Sequence, residues 1–247
     1  MPPSRCFGAT DFRWIEPVFT LSPLEIEALT LSARVAFWAV LVSLPLGISV
    51  AWLLARTRFP GKALVDALVH VPLVVPPVVI GYMLLVLLGR RGVIGAWLWD
   101  SFGFTLAFTW QGAAVASAVM GFPLMVRAIR LSLEAVDPRL EAAARTLGAR
   151  PIGVFLSVTL PLTSSGILAG VILAFARSLG EFGATITFVS SIPGETRTLP
   201  VALYGLAQVP GGEAAALRIV VISVVIAVVA LLASEAAARR LRARIRG

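Results

Sequence analysis

Polar side chains interrupt an apolar stretch that runs from about residue 162 to 189. Ionisable groups inside an apolar segment of membrane length are costly, and they normally face the protein interior or a water-filled path. A guanidinium could attract an anion there and hydroxyl groups could donate hydrogen bonds to it, whereas a carboxylate would repel an anion. The i, i+4 spacing of Arg177 and Glu181 also favours a mutual ion pair. The pair is the favoured interpretation and anion contact the alternative, and the pathway candidates in this stretch are Arg177, Ser178, Glu181, Thr185 and Thr187.

A second polar segment, residues 137–161, separates two long apolar stretches. Asp137 suits a helix N-cap and Pro138 the first helical position. Gly148 is a natural stop, and Pro151 prevents continuation. A short helix is therefore predicted over 138–147. One of its faces carries Leu140, Ala143, Ala144 and Leu147, and the other carries Glu141, Arg145 and Thr146.

The slim alanine-rich face of this helix suits the groove of a partner protein. An amphipathic connector lying on the lipid surface is the alternative, and the residues alone favour it. A further i, i+4 pair, Asp66 and His70, opens the next apolar stretch upstream. A satisfied interfacial pair is the favoured interpretation there, and a proton relay is the alternative.

The sequence lacks the residues of several common catalytic and metal sites. One His and one Cys cannot build a zinc site of the usual Cys/His kind. A phosphate-binding loop for ATP needs Gly-Lys followed by Ser or Thr. Lys62, the only lysine, follows Gly61 but precedes Ala63. We therefore expect neither an enzyme nor a self-powered pump, and no cofactor or metal is implied.

Composition places the chain among multi-span membrane proteins. Of its 247 residues, 58% are hydrophobic and only 14% are charged, against about half and a quarter in soluble domains. A crossing of the hydrocarbon core needs about 20 helical residues. Long runs without period-2 alternation favour helices over a barrel. We predict an all-α integral membrane protein with five transmembrane helices at about 29–55, 66–88, 104–126, 162–189 and 217–237.

The second predicted span contains residues that disturb helices. Pro72, Pro76 and Pro77 lie in the second, and each removes a helical hydrogen bond. Such breaks are tolerated in a membrane where neighbours or water satisfy the freed carbonyl groups. Pro76 and Pro77 join the pathway candidates, although glycine and proline are also simply commoner in membrane helices.

Basic residues predict the orientation of the spans. The net charge of +8 reflects membrane orientation better than nucleic-acid binding, because the basic residues flank apolar segments. Thirteen of the 21 basic residues lie at the span ends of one side of the membrane. Because cytoplasmic loops carry an excess of Lys and Arg, this predicts that residues 137–161 and the C-terminus are cytoplasmic and that the N-terminus is outside. Residues 1–22 lack an apolar core of their own and are expected to form an extramembrane leader. The thirteen are Arg56, Arg58, Lys62, Arg127, Arg130, Arg139, Arg145, Arg150, Arg239, Arg240, Arg242, Arg244 and Arg246.

The 137–161 segment resembles the cytoplasmic coupling loop of ABC-transporter membrane subunits. Glu141-Ala142-Ala143 is followed by Gly148, seven positions after the glutamate, and by Val158-x-Leu160-Pro161. Valine stands at 158 where isoleucine is usual. The resemblance implies that residues 23–247 form a transmembrane domain of the type I ABC importer permease fold. It assigns ATPase coupling to Glu141, Ala142, Ala143, Arg145, Leu147 and Gly148.

Further segments are similar to molybdate ABC transporter permeases: residues 59–64, 72–79, 122–130, 175–185 and 192–200. This resemblance implies a permease in the inner membrane that moves molybdate, with tungstate as a second substrate. It implies two copies of a cytoplasmic ATPase subunit, a periplasmic molybdate-binding protein and a second copy of this chain. Sulfate or thiosulfate transport is the alternative. A secondary transporter is a weaker one, because the chain lacks a clear internal repeat.

Overall fold

The computed structural model describes residues 22–246, and only the backbone at 231, 234, 235 and 237–246. These residues form helices and no strand, so the all-α prediction is confirmed. The predicted leader lies outside the described residues, except for Ser22. In chain order the helices are α1 (Pro23–Arg56), α2 (Lys62–Val74), α3 (Pro77–Leu88), α4 (Val93–Phe102), α5 (Trp110–Glu134), α6 (Pro138–Thr146), α7 (Pro151–Val154), a π-helical turn (Phe155–Thr159), α8 (Leu160–Leu162), α9 (Ser164–Leu179), α10 (Gly183–Val189), α11 (Leu199–Ala207) and α12 (Glu213–Arg246).

Helix α1 is longer than the predicted first span because its N-terminus is capped. The Ser22 hydroxyl accepts a hydrogen bond from the Glu25 backbone N–H, and the Glu25 carboxylate accepts one from the Ser22 N–H. This reciprocal capping box satisfies two backbone donors that would otherwise lack partners. With 34 residues and a rise of about 1.5 Å per residue, α1 is long enough to cross a membrane and extend beyond it.

The second predicted span, 66–88, is present as two helices with a sharp bend between them. Helices α2 and α3 meet at an angle of 113°. Pro76 and Pro77 follow each other at the break, where proline cannot donate the hydrogen bonds that would continue α2. Val75 and Pro76 are extended and act as caps. The span therefore has an elbow at Val75 and Pro76.

Two other predicted spans differ in their bounds or continuity. The third predicted span is 104–126, but α5 starts six residues later and continues to Glu134. The start is fixed by Thr109, whose hydroxyl accepts a hydrogen bond from Gly112 N–H. The fourth was predicted as one helix over 162–189 but breaks after Leu179, where Gly180 caps α9. Helix α10 then begins at Gly183.

Contacts at the helix ends show how the segments alternate across the bundle. Near the start of α1, Glu25 pairs with Arg218 near the start of α12, at 2.8 Å. At the other end, Arg56 pairs with Glu141 of α6, at 2.9 Å. We call the first of these the α11 end of the bundle and the second the α6 end. Helix α11 packs beside the first part of α1, where Leu199 N–H donates a hydrogen bond to the Ser32 hydroxyl.

The α2–α3 pair joins these two ends. Asp66 of α2 pairs at 3.0 Å with Arg130 near the α6 end of α5, and His70 lies 3.3 Å from the same carboxylate. The last turns of α3 pack on the same buried cluster as Leu106 and Trp110, which lie at the opposite end. The bent pair thus makes one crossing, and the five predicted crossings are present if it is counted as one. Because Asp66 contacts both Arg130 and His70, its charge has partners within the bundle, in agreement with the favoured interpretation of an interfacial pair.

The elbow packs tightly against α10. A Cβ atom added at Gly81 would lie 2.5 Å from the carbonyl oxygen of Ala184 and 2.9 Å from Thr187 Cβ. A Cβ at Gly183 would lie 2.8 Å from Pro77 Cβ. Glycine at these two positions therefore allows the two broken spans to touch at their breaks.

We expect Gly81→Val to destabilise the protein by at least about 1–3 kcal/mol, because the backbone of α10 must move to admit the side chain. Thermal unfolding of the purified protein in detergent measures the loss. Gly205→Ala in α11 is the matched control, since nothing lies within 4 Å of its added Cβ. Equal unfolding temperatures for the two variants would show that α3 and α10 are not in close contact.

Candidate functional site

Helix α6 forms where local signals predicted a helix. It runs from Pro138 to Thr146, the Asp137 side chain accepts a hydrogen bond from Arg139 N–H, and Glu141 lies in its first turn. Gly148 follows with φ of +86°, in the left-handed region where any side chain is strained. The predicted bounds of 138–147 are confirmed to within one residue because capping depends on residues close in sequence.

Glu141 points back into its own chain and fastens α6 to the bundle. One of its carboxylate oxygens lies 2.9 Å from the Arg56 guanidinium and accepts a hydrogen bond of 2.9 Å from the Thr159 hydroxyl. Its side chain is 13% exposed. Arg56 also donates to the carbonyl of Val136 in the turn before α6. The end of α1, the start of α6 and the π-helical turn are therefore tied together at one carboxylate.

Sequence reasoning did not find the two partners of Glu141. Arg56 lies 85 positions away, and its place at the end of an apolar stretch indicates only the orientation of the span. Thr159 is 18 positions away and buried. It lies in the π-helical turn, which changes the register of the chain by one residue relative to an α-helix. Such turns often occur at functional sites, but the sequence carries no clear signal of this one.

The opposite face of α6 is open. Leu147 is 88% exposed and Leu140 is 49% exposed. Ala142, Ala143, Arg145 and Gly148 are exposed as well. Apolar side chains held this far from the bundle form a ridge that a groove on another protein can bury. We call Leu140, Ala143 and Leu147 the α6 ridge.

The break between α9 and α10 contains the predicted Arg177–Glu181 ion pair. Arg177 Nη1 lies 2.6 Å from Glu181 Oε2. The second carboxylate oxygen accepts a hydrogen bond of 2.8 Å from Ala184 N–H, in the first turn of α10. The Glu181 side chain is 1% exposed. This carboxylate therefore neutralises the arginine and satisfies a backbone donor at the start of α10.

The hydroxyl candidates point in different directions. Ser178 is buried and donates to the Ser117 carbonyl of α5 at 3.4 Å. Thr187 donates to the Gly183 carbonyl of its own helix. Thr185 is 1% exposed, and its hydroxyl has no partner among the described residues. Ser178 and Thr185 are thus enclosed within this subunit.

Other pathway candidates reach the surface of the subunit. Arg177 is 28% exposed at its side chain, Pro76 is exposed, and Pro77 is half-buried against Gly183. The α2–α3 break and the α9–α10 break lie in contact, but the predicted pathway residues differ in their exposure. Arg177 and Pro76 are accessible in this conformation, whereas Ser178, Glu181 and Thr185 are not.

The fold and this arrangement of helices are those of a transporter membrane subunit. Residues 43–243 match the family model described as binding-protein-dependent transport system inner membrane component, and the chain belongs to this family. Within it, the chain groups with the molybdenum transport system permease proteins. It is 62% identical to ModB of Escherichia coli strain K12 over 91% of this chain and 98% of that protein.

Other relatives are consistent with this grouping. ModB of Haemophilus influenzae is 54% identical over 90% of this chain and 97% of that protein. The sulfate transport system permease protein CysT of Escherichia coli strain K12 is 38% identical over 74% of this chain and 66% of that protein.

Solved structures show the same fold at low sequence identity. One is a bacterial ABC transporter involved in the import of the acidic polysaccharide alginate, with a TM-score of 0.73 and 18% identity over 93% of this chain and 83% of that chain. Another is the inward-facing MetNI methionine ABC transporter, with a TM-score of 0.70 and 17% identity over 90% of this chain and 99% of that chain. The predicted importer permease fold is therefore confirmed.

Proposed function

We propose that this chain is the membrane subunit of an ATP-driven importer and that it moves molybdate across the inner membrane by alternating access. The observation that carries the proposal is the 62% identity to ModB over nearly the whole of both chains. Tungstate is the second substrate of the same class. Sulfate is the weaker alternative, because two sulfate permease relatives are 40% and 38% identical over 71% and 74% of this chain.

Energy for transport comes from separate subunits in this proposal. Lys62 is the only lysine and does not belong to a phosphate-binding loop. Two copies of a cytoplasmic ATPase subunit would bind two copies of this permease at the α6 ridge. A periplasmic molybdate-binding protein would deliver the anion at the α11 end. This orientation follows the arginine distribution and places the N-terminus outside.

The contacts of Glu141 suit α6 to transmit force. A helix held only by its connections would swing when a partner pulled on it. Here one carboxylate joins α6 to the end of α1 and to the π-helical turn that leads into α9. A displacement of α6 would therefore move whole spans, as rigid-body switching between two states requires.

The helix breaks suit a passage for an anion. Arg177 supplies a cation that remains partly accessible, and Pro76 at the other helix break is exposed. Its charge is already balanced by Glu181, so its attraction for an oxyanion is weak. A pathway needs contacts weak enough to release the substrate again. We place the passage between the two subunits at this level and assign Arg177 to it, with selectivity residing mainly in the binding protein.

The ATPase activity of the reconstituted complex tests the substrate. The permease, the ATPase subunit and the binding protein are assembled in lipid nanodiscs, and hydrolysis is measured with molybdate, tungstate or sulfate. We expect stimulation by molybdate and tungstate and none by sulfate. Stimulation by sulfate alone would contradict the molybdate assignment. The protein without the ATPase subunit is the control and should hydrolyse no ATP.

A substitution on the α6 ridge tests the docking surface. We expect Leu147→Asp to reduce copurification of the ATPase subunit by at least about tenfold, because an apolar anchor at an interface is replaced by a charge. The amount of permease in the membrane should not change, since Leu147 is 88% exposed. Val209→Asp, at an exposed position of the α11 end, is the control and should retain the ATPase subunit. Normal copurification with Leu147→Asp would exclude the ridge as the docking surface.

A further inference from the structure

A basic cavity lies beside α6, at the end of α1. Its volume is about 570 Å³. Four cationic side chains line it, and Glu141 is the only carboxylate among its lining residues. The four are Arg56, Arg58, Lys62 and Arg145. The cavity therefore carries an excess of about three positive charges.

Most of this charge has no carboxylate partner among the described residues, although Lys62 Nζ donates a hydrogen bond of 3.3 Å to the Thr57 carbonyl. Arg56 is paired with Glu141, but no carboxylate of the described residues lies within 4.0 Å of Arg58, Lys62 or Arg145. The Nε of Arg56 is buried and also lacks a hydrogen-bond partner in the described part of the chain. An anion in the cavity would neutralise the surplus charge and offer an acceptor to these donors.

An apolar groove continues from the cavity along α1. Its volume is about 600 Å³, and it shares three lining residues with the basic cavity: Trp52, Pro151 and Phe155. The remaining lining residues include Ile48, Leu53 and Ile152. Ile152 is 75% exposed. Trp52 stands where the polar and apolar parts meet, a position that tryptophan favours at membrane interfaces.

We propose that this composite site binds an anionic phospholipid, with the phosphate headgroup in the basic cavity and one acyl chain in the apolar groove. A basic pocket at the end of membrane-spanning helices is complementary to acidic headgroups. A free phosphate would use the cavity but not the groove, so the two joined parts favour a lipid. A bound lipid would brace α6 against α1 and α7, since all three contribute to the cavity wall.

Native mass spectrometry of the purified full-length chain tests this proposal. The protein is exchanged into detergent with a defined mixture of phosphatidylglycerol and phosphatidylcholine, and retained lipid is counted. We expect selective retention of phosphatidylglycerol. The double variant Arg58→Gln with Lys62→Gln should lower that retention by about fivefold per lost charge. The control, Arg90→Gln with Arg91→Gln, removes two exposed charges outside this cavity and should retain the lipid.

Further variants separate lipid binding from general effects. The charge-conserving double variant Arg58→Lys with Lys62→Arg should retain phosphatidylglycerol. Its retention would show that the glutamine double variant loses lipid because it lacks the two charges, and not because its fold is disturbed. Ile152→Gln should lower retention through the groove, and millimolar inorganic phosphate should compete only weakly. Equal retention by the two glutamine double variants would overturn the proposal. It would also be overturned if the Arg58/Lys62 variant kept phosphatidylglycerol but lost a copurifying ATPase subunit, because the cavity would then be a protein contact.

Discussion

Glu181→Ala should destabilise the protein more than any other single substitution at the α9–α10 break. The carboxylate is 1% exposed, lies 2.6 Å from Arg177 and accepts a hydrogen bond from Ala184 N–H. Its removal leaves the arginine without its partner and a buried backbone donor unsatisfied. Breaking a buried ion pair from one side costs about 3–5 kcal/mol. We expect a large fall in the amount of folded protein, measured by size-exclusion chromatography and thermal unfolding in detergent.

Two further variants identify the cause of this effect. Glu181→Gln keeps an acceptor for Ala184 N–H but removes the charge, so its loss should be smaller. Arg177→Gln combined with Glu181→Gln removes both charges and should recover part of the stability, because no unpaired ion remains. Thr187→Val is the control, since this hydroxyl bonds only within its own helix. If Glu181→Ala unfolds no more readily than Thr187→Val, the pair does not stabilise the break.

Glu141→Ala should uncouple ATP hydrolysis from transport while leaving the bundle folded. The carboxylate loses its contacts to Arg56 and Thr159, each 2.9 Å long. Hydrogen bonds to charged groups contribute about 1.5–3 kcal/mol each. Helix α6 would then move without carrying α1 and the π-helical turn with it. We expect molybdate uptake per ATP hydrolysed to fall by about tenfold or more, measured in proteoliposomes.

Matched variants separate this fastening role from direct contact with the ATPase subunit. Arg56→Gln should reproduce the uncoupling, since it breaks the same contact from the other side. The double variant should be little worse than either single one. Arg139→Gln, on an exposed residue of the same helix, should leave the ratio unchanged. If Glu141→Ala uncouples transport and Arg56→Gln does not, then Glu141 acts on a partner and not through α1.

Features that depend on neighbouring residues were predictable from the sequence. The bounds of α6 follow from Asp137, Pro138 and Gly148, which act within a turn of the helix end. The Arg177–Glu181 pair follows from i, i+4 spacing. Both agree with the structure. The length and hydropathy of the apolar stretches also predicted five crossings, which are present if the bent α2–α3 pair is counted as one.

Features that depend on distant residues were not predictable. The proline cluster indicates a disturbed second span, but not the bend of 113° between α2 and α3. That bend is accompanied by close packing of Gly81 and Gly183 between α3 and α10. Hydropathy predicts that residues 104–109 belong to the third span, although α5 starts only at Trp110. The inward direction of Glu141 depends on Arg56, a residue of another helix. Periodicity within α6 could not supply that information.

The most direct test of the account is ATP-dependent uptake of radiolabelled molybdate by proteoliposomes. They contain this chain and the ATPase subunit, with ATP supplied on the side that carries α6 and the loaded binding protein on the opposite side. If this chain is the permease of an ATP-driven importer, uptake requires both additions and is lost with Leu147→Asp. Uptake that continues without ATP, or that follows an imposed ion gradient, would contradict it.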